Sequence, residues 1–124
     1  MRNNESSENY LETILVLSQR LPVVRSVDIA TEMNFSKASV SVAMKHLKEQ
    51  GYVEADTSGF ITLTKTGLEI ASRIYERHTF FSSWLISLGV DPEIATKDAC
   101  GMEHQISDES FAAIKNFITA IKQS

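Results

Sequence analysis

A chain of 124 residues with 43% hydrophobic content can bury one core or two small ones. Its single cysteine excludes an internal disulfide and suits a reducing cytoplasm. The polar start Met1-Arg2-Asn3-Asn4-Glu5-Ser6-Ser7, and the polar residues that interrupt Tyr10 to Leu21, exclude a signal peptide and a membrane span there. A net charge of −4 argues against nucleic acid only until its distribution is read. Met1–Arg77 holds nine Lys and Arg against ten Asp and Glu, whereas His78–Ser124 holds three against six. Within Ser36–Gly51 the balance reverses, with Lys37, Lys45 and Lys48 against Glu49.

Tyr10, Ile14, Leu17 and Leu21 recur at helical spacing and predict a first helix from about Glu8 to Leu21, ended by Pro22. Asn9 and Glu12 lie three apart and off that stripe, as the solvated edge of an amphipathic helix would. Val27–Met33 predicts a short helix, Asn34-Phe35-Ser36 a turn, and Lys37 to about Gln50 a longer helix with Ser36 as its N-cap. Val40, Ala43, Met44 and Leu47 form the inward stripe of that second helix. Ser39, Val42, Lys45, His46 and Glu49 face outward, with Ser36, Lys37 and Ala38 at the N-terminus, the end that enters a major groove in helix-turn-helix proteins.

Gly51 closes the helix. Tyr52–Asp56 and Phe60–Leu63 then read as two short strands around Thr57-Ser58-Gly59, the wing of a winged helix-turn-helix. The wing tip has no Lys or Arg and is expected to add little phosphate affinity. The order of elements, with a basic second helix, favours DNA binding over a purely structural domain.

Thr64 or Thr66 is placed to cap a long helix reaching about Leu88, which Gly89 ends. Ala71, Ile74, His78, Phe81, Leu85 and Leu88 recur along it. His78 therefore points inward, as a hydrogen-bonded core histidine or as a ligand. Asp91 caps the next helix with Pro92 at its first position, and that helix is expected to carry Cys100 to Gln105. Ser107 caps a last helix with a stripe of Phe111, Ile114, Phe117, Ile118 and Ile121. Phe80, Phe81, Trp84, Leu85 and this stripe exceed what three such helices need for their own core, so a self-associating face is expected.

Cys100-Gly101-Met102-Glu103-His104 sets a thiol, a carboxylate and an imidazole at i, i+3 and i+4. Converging on one point, these donors suit a divalent transition ion better than calcium or magnesium, which take all-oxygen shells. The plainer alternative is a buried thiol beside a solvated Glu-His pair.

Several runs resemble the DtxR/MntR family of metal-dependent repressors across nearly the whole chain. They are Asn9-Tyr10-Leu11-Glu12-Thr13-Ile14, Asp28-Ile29-Ala30, Ser36-Lys37-Ala38-Ser39-Val40-Ser41, Leu63-Thr64-Lys65-Thr66-Gly67, Arg77-His78 and Asp98–Ser107. The resemblance implies a mainly α chain, with a winged helix-turn-helix over residues 1–70 and an all-α metal-binding and dimerisation domain over 71–124. It implies that Asn9, Glu12, His78, Cys100, Glu103 and His104 bind Fe(II) or Mn(II), and that the base-reading positions are Ser36, Ala38, Ser39 and Val42. Lys37 and Lys45 are expected to bind DNA as well, Lys37 at a phosphate. The expected protein is a cytoplasmic homodimer that binds palindromic operator DNA when loaded with metal and represses metal-uptake genes, with no membrane and no small organic substrate as partner. Cys100 resembles the iron-responsive branch and Glu12 the manganese branch. Asn9 replaces a stronger donor of both branches, and Ser82 and Thr96 stand at ancillary-site positions, so one principal ion per subunit is expected.

Two other readings compete. A winged-helix regulator of a small organic ligand would share the first half without needing Cys100, Glu103 and His104 together. An enzyme with Cys100 as nucleophile and His104 as base would need an alignment that two side chains four apart on a helix make poorly, and no oxyanion-hole motif accompanies them.

Overall fold

The computed structural model describes residues 5–123; the polar start of the chain lies partly outside them. The described chain divides into two compact units, one through Arg73 and one from Ile74.

The first unit begins with α1 (Glu5–Arg20), α2 (Ser26–Met33) and α3 (Lys37–Glu49). Tyr10, Leu11, Ile14 and Leu17 form the buried stripe of α1 and meet Ile29 and Ala30 of α2 and Val40, Met44 and Leu47 of α3 in one core. Ala30 keeps the crossing close because it has no side chain beyond Cβ. Between α2 and α3, Asn34 adopts the left-handed conformation (φ 58°), which asparagine tolerates better than most residues. Ser36 then caps α3, its Oγ accepting from the Ser39 amide at 3.1 Å.

Strands β1 (Val53–Ala55) and β2 (Ile61–Leu63) form an antiparallel hairpin, with Val53 opposite Leu63 and Ala55 opposite Ile61. Asp56 organises its tip: Oδ1 accepts from the amides of Ser58 and Phe60, each at 2.9 Å. The base of the wing is tied to the core, since the Ile61 amide donates to the Val24 carbonyl at 2.7 Å and both residues are buried.

Thr64 joins the wing to α4 (Lys65–Ser87). Its hydroxyl donates to the Gly51 carbonyl at 2.7 Å and accepts from the Gly67 amide at 3.1 Å. Of the two threonines open from sequence, Thr64 is thus the cap. Gly67 is required by close approach: a Cβ there would stand 2.0 Å from the Tyr52 carbonyl oxygen.

The second unit contains the later part of α4, α5 (Pro92–Met102) and α6 (Asp108–Gln123). Asp91 caps α5 by accepting from the Glu93 amide at 3.1 Å, and the Ser107 hydroxyl accepts from the Ser110 amide at the start of α6. Phe80, Phe81 and Phe111 form a triangle of edge-to-face contacts with centroids 5.5–5.6 Å apart. Phe81, Ala99 and Phe111 are the buried residues of this core.

Two expectations change here. Helix α5 stops at Met102 rather than continuing to Gln105: Glu103 keeps right-handed backbone geometry as the C-cap, and His104 falls in the following turn. Phe81, expected on a self-associating face, has no accessible surface and belongs to the core of its own unit. Phe80, Trp84 and Leu85 are half-buried, and the apolar surface extends instead along α6, where Phe117 is 65% exposed.

Candidate metal centre and nucleic-acid interface

On α5 the buried positions are Ala95 and Ala99, and a further four-residue step reaches Glu103. The same periodicity that buries two alanines therefore carries a carboxylate inward, to 0% exposure. A lone buried carboxylate is costly and needs partners. Here His78 Nδ1 lies 3.1 Å from Oε2, and His104 Nε2 lies 3.3 Å from Oε1. Both carboxylate oxygens are buried, and among the described residues no donor other than these two imidazoles reaches them. Burial is the strongest influence on this carboxyl and pushes its pKa up. His104 and His78 together outweigh it and hold the group below its usual value, so it stays ionised at neutral pH.

Cys100 stands one turn before Glu103. Ligand atoms of Cys100, Glu103 and His104 lie within 4.8 Å of one another. The plainer alternative from sequence is reversed, because Cys100 is the exposed member while the side chains of Glu103 and His104 are buried. Two imidazoles, a carboxylate and a thiol form a mixed donor set that suits a divalent transition ion, and a buried, ionised carboxylate flanked by imidazole nitrogens fits a cation. Asn9 and Glu12 are both half-buried on α1 in the first unit.

Arg77 received no role from the sequence. It is 5% exposed, and its guanidinium donates from Nη1 to the carbonyls of Glu103, at 3.1 Å, and Ile106, and from Nη2 to the Asp108 carboxylate. The signal was present in the spacing. Position 77 falls on the apolar stripe of α4, three after Ile74 and four before Phe81, where an arginine must find buried acceptors.

In the first unit, Ser36, Lys37, Ala38, Ser39, Val42 and Lys45 are all exposed, forming one face of α3 and its N-terminus. Val42 is 57% exposed, a large apolar side chain held in solvent on the same face as Lys45. The Ser36 hydroxyl donates to Ser39 Oγ at 3.0 Å as well as accepting from its amide, so the two hydroxyls are held together.

A winged helix with an exposed basic helix, joined to a unit in which a buried carboxylate lies between two imidazoles beside a cysteine, defines a metal-responsive DNA-binding regulator. The comparisons agree. Residues 4–59 match the family profile "Iron dependent repressor, N-terminal DNA binding domain", and residues 64–124 match "Iron dependent repressor, metal binding and dimerisation domain". The chain is 35% identical over 113 residues to the transcriptional regulator MntR of Escherichia coli O6:H1, covering 91% of this chain and 73% of that protein. It is 32% identical over 121 residues to the HTH-type transcriptional regulator MJ0568 of Methanocaldococcus jannaschii, covering 96% and 97%. The structure of the manganese regulator SloR superposes with a TM-score of 0.81 at 29% identity, over 96% of this chain and 55% of that one. The chain spans little more than half of SloR. The chain belongs to the DtxR/MntR family of metal-dependent transcriptional regulators, which are not enzymes. No helix among the described residues is long and apolar enough to cross a membrane.

Proposed function

We propose that this chain is a cytoplasmic repressor of metal-uptake genes that binds palindromic operator DNA as a homodimer when Fe(II) or Mn(II) is bound. The observation that carries the metal half is the buried Glu103 carboxylate with an imidazole nitrogen beside each oxygen and Cys100 one turn away. His78, Cys100, Glu103 and His104 are the proposed ligands in the helical domain, residues 71–124. Asn9 and Glu12 are assigned as further ligands by the match of Asn9–Ile14 to the family's pattern, and that assignment rests on sequence alone.

When bound, the ion would supply positive charge to the buried carboxylate of Glu103 and the thiolate form of Cys100. Glu103, already ionised, needs to lose no proton to accept it. In the winged helix, residues 1–70, Ser36, Ala38, Ser39 and Val42 are placed to meet base edges, while Lys37 and Lys45 are placed for phosphates. Phe80, Trp84 and Leu85, with the exposed apolar side of α6, are the proposed dimer contacts, which Phe81 supports from beneath. Two subunits set two recognition helices against two half-sites. A coupling of about 1–3 kcal/mol between metal and DNA would make repression metal-dependent.

The test is an operator-binding titration of the full chain under anaerobic, reducing conditions with Fe(II), Mn(II), Zn(II) and Co(II). Iron or manganese should raise affinity, and His104→Ala should abolish the response while circular dichroism and gel filtration stay unchanged. Operator binding indifferent to every metal would favour the regulator of a small organic ligand instead.

A further inference from the structure

The hydrogen bonding of α5 ends with the Glu103 amide, which donates to the Ala99 carbonyl at 3.0 Å, so the Glu103 carbonyl and His104 lie beyond it. His104 and the carbonyl side of Glu103 therefore depend on a turn, and a turn by itself is a poor platform for a site whose bond lengths tolerate about 0.2 Å. Something else must hold it. Arg77 reaches this turn from α4, donating to the carbonyls of Glu103 and Ile106 and to the carboxylate of Asp108, the first residue of α6. Its guanidinium also lies 5.3 Å from the centroid of the Phe111 ring, which fixes its plane.

We infer that Arg77 is the positioning residue of the metal centre, setting where Glu103 and His104 stand against its sequence neighbour His78. The inference rests on the metal-site reading above. Consecutive residues on a helix point about 100° apart. The same turn of α4 thus presents His78 to the Glu103 carboxylate and Arg77 to the Glu103 carbonyl. One residue is gripped at both its side chain and its main chain by two adjacent residues of a rigid helix. The planar fork of arginine serves the separated acceptors at once, and the point charge of a lysine does not. Arg77 touches none of the ion's proposed donor atoms, so its effect is on where they are held.

The experiment is a Co(II) titration of the full-length chain by visible absorption, together with amide hydrogen exchange of the metal-free protein. Wild type is compared with Arg77→Gln, Arg77→Lys, Asp108→Asn and, as reference, His104→Ala. Removing partners that orient metal ligands weakens binding by about 10–100-fold. Arg77→Gln and Arg77→Lys should show that loss, an altered d–d spectrum, and faster exchange confined to Glu103 through Ser107. Asp108→Asn, altering a residue whose side chain is 73% exposed, should fold normally and show the same change in smaller measure. An Arg77→Lys protein as stable as wild type, with its cobalt affinity and spectrum intact, would overturn the inference. Normal binding by the Arg77 variants beside loss in His104→Ala removes only the role of Arg77. A wild-type chain that binds no cobalt removes the metal centre itself and the positioning role with it.

Discussion

His78 Nδ1 stands 3.1 Å from Glu103 Oε2, and the carboxylate it meets has no accessible surface. These residues come from α4 and from the turn after α5, so the contact joins two elements of the helical unit through a charged group. A buried carboxylate held in its ionised form makes stability depend on pH in a definite direction.

Glu103 has a folded pKa below its ordinary 4.5, so the unfolded chain takes up its proton more readily than the folded one. Its contribution to stability is fully present above about pH 4.5 and is lost as pH falls through the lower folded value. Urea unfolding of the metal-free chain followed from about pH 7 to about pH 3 should show this, against the background of the other carboxylates. Glu103→Gln should lose less stability over the acid range than wild type. Parallel curves for the two proteins would mean that Glu103 is not held ionised.

Cys100→Glu should move the response from iron toward manganese. A thiolate suits Fe(II) and Zn(II), whereas a carboxylate suits the harder Mn(II). Cys100 is exposed, so the longer side chain has room, and it places a second carboxylate one turn before Glu103. Stability of the metal-free protein should fall through repulsion. The measurement is the activating concentration of each metal in an anaerobic operator-binding assay, and an unchanged iron-to-manganese ratio would show that residue 100 does not touch the ion.

On α3, Lys37→Ala should weaken binding to every sequence and flatten the dependence on salt, as loss of a phosphate contact does. Ser39→Ala should change the ranking of operator variants instead. Its hydroxyl is held by Ser36, so it is presented in a fixed orientation to whatever it meets. Binding isotherms across a panel of operators at several salt concentrations separate the two, and identical behaviour would show that the division between positioning and reading is wrong.

Two glycines should respond oppositely to alanine. Gly67→Ala drives a methyl to 2.0 Å from the Tyr52 carbonyl oxygen, where backbone must yield, and should cost about 1–3 kcal/mol. Gly101, inside the Cys100–His104 run, has open space around its absent Cβ. Gly101→Ala should stabilise by up to about 1 kcal/mol through helix propensity. Denaturant midpoints of the metal-free proteins decide both, and a neutral Gly67→Ala would mean that the wing and α4 separate more easily than their close approach implies.

The local pattern of the chain was enough to determine the order of elements, the caps Ser36, Asp91 and Ser107, the wing, and the exposed face of α3. Helical periodicity and capping depend on residues a few positions apart, so they are written in the sequence directly. The grouping of Cys100, Glu103 and His104 was legible for the same reason. Their burial was not: spacing treats the thiol and the carboxylate alike, and only the packing of α5 through Ala95 and Ala99 decided that Glu103 goes inward while Cys100 stays exposed. The inward turn of His78 was legible, but its partner was not, because the Glu103 carboxylate beside it comes from another element. Phe81 and Arg77 show the same limit, since an apolar stripe says which side chains turn inward and leaves open what meets them. For Phe81 it was the Phe80 and Phe111 rings, and for Arg77 it was the turn that carries two of the proposed metal ligands, a contact across 26 residues of sequence that tertiary packing alone creates.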